Sequence, residues 1–363
     1  MEKKKYEKPG IEIRLVGVVL ILIMVFIEGA SFFGIWSLIE DYWLRCAIGE
    51  IIMCAPVLIY LIRCRGQFVG MMRLNPVKIR VVLLAVVVEI CVSPLAGLCN
   101  LITQLFTPNT VEVTIGEYAG QTPYWLMIIS MALIPAIVEE IAMRGVVLSA
   151  FSRSGRKFAA ILFMSLCFGL IHGNINQFAY AFVIGTVMAI VDEAADSIFP
   201  SMAMHLFTNG FSITFMYIMQ YSAIAEEQAK DIMTLLGEET QEAEIVLPAE
   251  VVDTITNATY IITVVLMVAL AVGGLFAASK LISKIAAISG RTEYMKSIKP
   301  KFGKRRKAAL EAENSFVAAQ GGVNAVPELP KTRILNPALI IGMSFWLALM
   351  VLNELIVQGV IKL

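Results

Sequence analysis

The stretch PAIVEEIAMRGVVLSAF, residues 135–151, places two glutamates and an arginine inside a run that is otherwise apolar enough to lie in a lipid bilayer. The whole chain has the same character, since 58% of its 363 residues are hydrophobic, 16% are charged and the mean hydropathy is +0.78. Ordinary soluble domains have about 45–50% apolar and about 25% charged residues. The composition excludes a soluble protein and predicts an integral membrane protein, so the three charges need a specific reason.

Apolar stretches of about 20 residues, the length that crosses a bilayer as a helix, recur along the chain. They predict an all-α fold, a polytopic membrane helix bundle of about eight to nine transmembrane helices. The predicted helices are 13–39, 44–62, 80–104, 123–150, 158–172, 176–194, 200–221, 258–283 and 337–361.

Lysine and arginine are distributed unevenly between the segments that join these helices. With the N-terminus in the cytoplasm, 25 of the 29 basic residues lie on the cytoplasmic side, as the positive-inside rule requires. The turn at 192–200, with the sequence DEAADS, has no basic residue although it belongs to the same side. We expect this turn to be recessed into the protein and to cover a water-filled cavity that opens toward the cytoplasmic side. The membrane is expected to be a bacterial plasma membrane.

Composition also divides the chain into segments. The acidic segment 223–257 is predicted to be extracytoplasmic, and 290–336 to be a basic cytoplasmic linker whose cluster KPKFGKRRK contacts anionic lipid rather than nucleic acid. The predicted divisions are N-terminal transmembrane helices at 1–122, a catalytic helix core at 123–222, the acidic loop at 223–257, a transmembrane helix at 258–289, the linker at 290–336 and a C-terminal transmembrane helix at 337–363.

The opening stretch separates its two glutamates by geometry. On a helix with 3.6 residues per turn, Glu140 and Arg144 share a face, whereas Glu139 points about 100° away. Glu140 and Arg144 can neutralise each other, which leaves Glu139 without the same partner. An ionisable residue in that position costs at least ~3 kcal/mol on insertion scales and is a functional candidate.

The chain has only two histidines, and both lie in the same apolar region. His172 follows Phe168 by four residues and His205 precedes Asn209 by four, so each pair occupies one face of its helix. A buried histidine taken alone is more often a structural residue. Its combination with an unpaired glutamate and an asparagine favours a site.

These side chains suit hydrolysis by direct attack of water. A buried glutamate can act as general base, and histidine and asparagine can donate hydrogen bonds to a developing oxyanion. The sequence contains no GxSxG nucleophile motif and no HExxH zinc motif.

Three motifs, EEIAMR, FGLIH and HLFTN, resemble in order and spacing the EExxxR, FxxxH and HxxxN motifs of the CPBP intramembrane proteases. This family includes the type II CAAX prenyl endopeptidases and the bacteriocin-processing (Abi) proteins. Phe182 and Gly185 also match the family, whereas Ala189 replaces a second glycine and residues 195–197 depart from the usual turn. The resemblance covers about residues 123–212.

The resemblance implies a role for each residue. Glu139 and His172 would activate water, His205 and Asn209 would stabilise the oxyanion, and Glu140 with Arg144 would support them. The implied substrate is a peptide or protein at the membrane, with or without a lipid. No cofactor is required, because a metal-free mechanism uses the same groups, but zinc held by Glu139, His172 and His205 is the alternative.

Two other function classes stay open. Carboxylates that lie in or beside apolar runs elsewhere can pair helices or serve proton or cation transport. Those residues are Glu28, Glu50, Glu89 and Glu354. Two matching halves, typical of many transporters, are absent from the sequence. The other class is a catalytically silent immunity or scaffold protein of the same fold.

Overall fold

The computed structural model describes residues 9–63, 72–152, 154, 156–235, 248–298 and 334–361, which form eleven helices and no strand. The protein is therefore an all-α helical bundle, as the sequence predicts. In chain order the helices are α1 (Pro9–Phe32), α2 (Tyr42–Arg63), α3 (Ile79–Thr103), α4 (Thr110–Ala119), α5 (Tyr124–Ser152), α6 (Lys157–Leu170), α7 (Ile175–Ala195), α8 (Phe199–Leu235), α9 (Ala249–Ile288), α10 (Thr292–Ile298) and α11 (Pro337–Val357).

Five of the described helices, α3, α5, α7, α9 and α11, are long and apolar enough to cross a membrane. Together with the exposed apolar side chains that cover the bundle, they define an integral membrane protein. The predicted crossings by α1, α2, α6 and α8 remain predictions.

Several boundaries differ from those that the apolar runs predict. Two helices, α4 and α10, are too short to cross a membrane, so the search for long apolar stretches does not predict them. Helices α8 and α9 extend into the predicted acidic loop, because its residues favour helix even where they are too polar for lipid. The centre of that loop, 236–247, and most of the basic linker lie outside the described residues.

Small residues allow the closest helix contacts. A Cβ atom at Gly274 of α9 would lie 1.9 Å from the Cys91 carbonyl oxygen of α3, so only glycine fits there. At the contact of α1 with α11, a Cβ at Gly17 would lie 2.8 Å from the Leu339 nitrogen. Backbone approach at small residues is a usual way for membrane helices to pack.

Helix α5 departs from regular α geometry on both sides of the glutamates. Its segments 129–133 and 141–148 are π-helical, and they flank the α-helical segment Ile134–Glu140. Pro135 has no N–H to donate to the Met131 carbonyl four residues earlier. The sequence predicts one regular helix here, and the wider turns are a feature that side-chain spacing does not reveal. Such turns occur often at functional sites.

An ionic cluster closes the end of the bundle where α7 ends and α8 begins, which we call the basic end. The buried Glu193 carboxylate accepts from Arg73 Nη1 at 2.6 Å and from the Tyr294 hydroxyl. Arg291 donates to the Glu193 carbonyl at 2.9 Å and pairs with Asp196 at 3.3 Å. Burial and the Glu193 charge raise the pKa of Tyr294 above its usual range, so its hydroxyl remains a donor.

This cluster explains the acidic turn that lacks basic residues of its own. Its counterions come from Arg73, before α3, and from Arg291, before α10, which are far away in sequence. Ser197 and Ile198 have no exposed surface, and Ile198 N–H donates to the Arg73 carbonyl at 3.2 Å. The turn is therefore buried in the protein, as expected for a recessed segment.

Candidate active site

The EExxxR motif forms a buried ion pair on α5. Arg144 Nη1 lies 2.9 Å from Glu140 Oε1, and neither side chain has exposed surface. The Arg144 guanidinium also lies over the Phe168 ring, 4.1 Å from its centroid, where the ring's negative face attracts a cation. The predicted pairing of Glu140 with Arg144 is present.

His205 of α8 binds the same carboxylate. Its Nδ1 lies 2.9 Å from Glu140 Oε1, and because a carboxylate oxygen accepts, Nδ1 carries the proton. The other ring nitrogen, Nε2, is left for a different partner. One carboxylate thus holds both the arginine of its own helix and a histidine of a helix that arrives 65 residues later.

Phe168 of α6 contacts both histidine rings. Its centroid is 5.0 Å from that of His172 and 6.1 Å from that of His205, edge to face in each case. A Cβ atom at Gly185 would lie 2.8 Å from the Phe168 ring, so the glycine of α7 leaves the space that this ring occupies. Phe168 therefore connects the two histidine-bearing elements.

His172 lies just after the end of α6, in the turn that leads to α7. Its Nδ1 is 2.7 Å from the Phe168 carbonyl oxygen. A carbonyl only accepts, so Nδ1 must donate and Nε2 keeps its lone pair. His172 is therefore held in the tautomer that can accept a proton or a water hydrogen.

Glu139 differs from its neighbour in having no ion pair. Its buried Oε2 atom has no hydrogen-bond partner in the part of the chain that the structure describes. The charged or titratable groups near this carboxylate belong to Glu50, His205, Glu140 and Arg144. The structure thus places Glu139 next to the Glu140 cluster without making it part of the cluster's hydrogen bonds.

Asn209, one turn after His205, is bound to the backbone of α5. Its Nδ2 donates to the Met131 carbonyl at 3.0 Å, the oxygen that loses its α-helical donor at Pro135. The amide has a second N–H, which is available to another acceptor. The predicted oxyanion donor therefore also attaches α8 to α5.

The structure adds two carboxylates that the motif analysis did not place in the site. Glu50 of α2 interacts with Glu139, and Asp192 at the end of α7 accepts from the Ser201 N–H at 3.3 Å, near the start of α8. Glu50 lies in an apolar run of the sequence, which is a detectable signal, whereas Asp192 belongs to the acidic turn; only packing shows the neighbours of either residue.

A metal ion would need several side chains that converge on one point. Among the residues that the structure describes, no group of three His, Cys, Asp or Glu side chains is arranged in that way. His205 Nδ1 and His172 Nδ1 are bound to Glu140 and to a backbone carbonyl, which leaves Nε2 of each ring free. Histidines that bind a metal often donate their other N–H in the same way, so zinc held by Glu139, His172 and His205 stays a prediction.

An apolar groove of about 510 Å³ lies beside the site. It is formed by α5, the start of α8 and the segment that leads into α3. Its lining residues are Pro76, Val77, Val82, Leu133, Ala136, Ile137, Phe199, Met202, Ala203 and Leu206. Ala136 precedes Glu140 by one turn and Met202 precedes His205 by nearly one turn, so the groove adjoins the histidine–carboxylate pair.

An all-α membrane bundle in which Glu140, Arg144 and His205 are buried together is an integral membrane protein with a polar site. Residues 121–211, the segment that carries every one of the three motifs, match the family model described as type II CAAX prenyl endopeptidase Rce1-like. This segment of the chain is therefore similar to the type II CAAX prenyl endopeptidases. No curated protein and no solved structure shows a significant match to the chain.

Proposed function

We propose that the protein is an intramembrane endopeptidase that cleaves a peptide bond of a membrane-associated substrate, with Glu139 as general base. The observation that carries the proposal is the buried, unpartnered Glu139 oxygen beside a hydrogen-bonded Glu140–His205 pair. A carboxylate without a protein donor can bind and deprotonate water, whereas Glu140 is already engaged. The family match gives the class of reaction, and the residue roles are our proposal.

In the first step, water attacks the carbonyl carbon of the scissile bond. One O–H bond of the water breaks and the proton passes to Glu139, while the new C–O bond forms. His172, with its free Nε2, holds the water by accepting a hydrogen bond from the second O–H, which does not break. General base catalysis of this kind contributes about 10²–10⁴-fold in rate.

The oxyanion that forms needs donors at its position. The second N–H of Asn209 is one candidate, because the first is bound to the Met131 carbonyl. His205 can donate from Nε2 only as an imidazolium, since its Nδ1–H is directed at Glu140. In the second step the C–N bond breaks, and the proton on Glu139 moves to the departing amine.

The substrate class follows from the groove. Its lining is apolar, and it is formed partly by α5 and α8, the helices that carry Glu140 and His205. We propose that the groove receives an apolar part of the substrate, either a side chain or an attached lipid. A peptide anchored in this way would present its bond to Glu139 from within the membrane. The same surface does not specify a prenyl group.

The test is cleavage of a fluorogenic peptide panel, with and without a lipid, by the protein purified in detergent. Glu139→Gln keeps the size of the side chain and should lower kcat by at least about 100-fold. The control is Glu293→Gln, which changes an exposed glutamate that pairs with Lys296 at the basic end. Equal activity of Glu139→Gln and wild type would contradict the proposal. Inactivity of all three proteins on every peptide would favour the transport or scaffold alternatives.

A further inference from the structure

Helix α2, outside the family segment, brings a second carboxyl group to Glu139. Helix α2 packs against the Ile134–Glu140 turns of α5. Glu50 projects from α2 and lies within electrostatic range of Glu139. Glu50 is therefore a neighbour of the proposed base, although residues 121–211 do not include it.

Glu50 and Glu139 share an unusual feature. The Oε2 atom of each is buried and has no hydrogen-bond partner among the residues that the structure describes. Glu89, Glu140 and Asp192 also leave one oxygen without a partner, but their other oxygen accepts from Thr208, from Arg144 and His205, and from Ser201 N–H. A buried oxygen without a donor costs about 1–3 kcal/mol.

Water is the smallest donor that can serve two such oxygens. A buried water molecule typically makes about three hydrogen bonds to polar groups that have no other partner. A water that donates one hydrogen to each carboxyl oxygen keeps its lone pairs free. Those lone pairs are the part of the molecule that attacks a carbonyl carbon.

We infer that Glu50 positions the hydrolytic water together with Glu139. The inference rests on the proposed peptidase function and adds a residue to it. Glu139 accepts one O–H of the water, and Glu50 shares the other with His172 Nε2. In the reaction, the hydrogen on the Glu139 side is transferred as the C–O bond forms, and the hydrogen on the Glu50 side stays on the new carboxyl product.

This role makes different demands from a structural one. If Glu50 stabilised the packing of α2 against α5, Glu50→Leu would lower the stability of the protein. A glutamate without donors gains little from its charge, so Glu50→Leu should keep or raise the unfolding temperature. The same change removes an acceptor from the water and should disturb its position, where a misplacement of about 1 Å can cost about 100-fold in rate.

The experiment compares wild type, Glu50→Leu, Glu50→Gln and Glu139→Gln by kcat, KM and thermal unfolding in detergent. We expect Glu50→Leu to lower kcat by about 10- to 100-fold with KM within about 2-fold of wild type. Glu50→Gln keeps an oxygen acceptor and should retain most of kcat. Glu293→Gln, at an exposed glutamate that pairs with Lys296, is the control for changing a glutamate away from the site.

The outcomes separate the two proposals. If Glu139→Gln is inactive while Glu50→Leu cleaves at the wild-type rate, the Glu50 role is wrong and the peptidase function stands. If Glu50→Leu and Glu50→Gln lose kcat equally, or if KM alone rises, Glu50 does not position the water. If wild type cleaves no peptide, the peptidase function is wrong and the Glu50 role with it. Should Glu50→Leu not fold, Glu50→Ala replaces it, since the smaller side chain cannot clash.

Discussion

His205 and Arg144 bind the same atom, Oε1 of Glu140, each at 2.9 Å. The arginine comes from the same helix as the glutamate, and the histidine comes from α8. This shared oxygen fixes the position of α8 relative to α5 and thereby relates His205 to Glu139, the residue before Glu140. It also distinguishes the two adjacent glutamates, since Glu140 accepts hydrogen bonds from Arg144 and His205 and Glu139 does not take part in them.

The first prediction concerns the stability of these two positions. Arg144→Ala leaves the buried Glu140 carboxylate without its arginine, and breaking a buried pair costs about 3–5 kcal/mol. Glu139→Ala removes a carboxylate that has no ion pair and should be neutral or stabilising. Thermal unfolding in detergent compares them. The opposite order of unfolding temperatures would show that the base and the structural partner are interchanged.

The second prediction concerns the contact between Asn209 and the Met131 carbonyl. Asn209→Ala should cost about 1 kcal/mol, the usual contribution of a hydrogen bond. Pro135→Ala restores an N–H that can donate to the same carbonyl, so Asn209→Ala should cost less in that background. A double-mutant cycle measures this coupling. Strictly additive effects would mean that Pro135 does not create the acceptor for Asn209.

The third prediction concerns the cluster at the basic end. Glu193→Gln removes the charge that faces Arg73, Arg291 and Tyr294 and should destabilise the protein by about 3–5 kcal/mol. Glu293→Gln, two residues after Arg291, affects an exposed pair with Lys296 at 2.6 Å, and exposed pairs contribute about 0–1 kcal/mol. Equal shifts in unfolding temperature for the two variants would contradict a structural role of the buried cluster.

The fourth prediction concerns orientation in the membrane. Single cysteines at Lys296 and Glu226, which are 65% and 70% exposed, are introduced into a cysteine-free background and treated with an impermeant maleimide. With the N-terminus inside, Glu226→Cys should react in intact cells and Lys296→Cys only after permeabilisation. Ser154→Cys is a control that should react slowly in both, because Ser154 has no exposed surface. Reaction of Lys296→Cys in intact cells would reverse the orientation.

The amino-acid sequence by itself determines that the chain is a bundle of apolar helices and that Glu140 pairs with Arg144. Both follow from local rules, namely the length of apolar runs and the four-residue spacing of side chains on a helix. The order and spacing of three motifs also give the resemblance to the CPBP intramembrane proteases, which the family match over residues 121–211 supports. They single out Glu139, His172, His205 and Asn209 as candidate site residues.

Only the tertiary structure decides which groups meet across helices. The bond from His205 to Glu140, the neutralisation of Glu193 by Arg73 and Arg291, and the position of Glu50 beside Glu139 join residues that are 65 to 120 positions apart. Helical periodicity fixes the face on which a side chain lies but not the helix that covers that face. The Met131 carbonyl illustrates both contributions. The sequence removes its local donor, because Pro135 has no N–H, and the packing of α8 supplies another donor from Asn209.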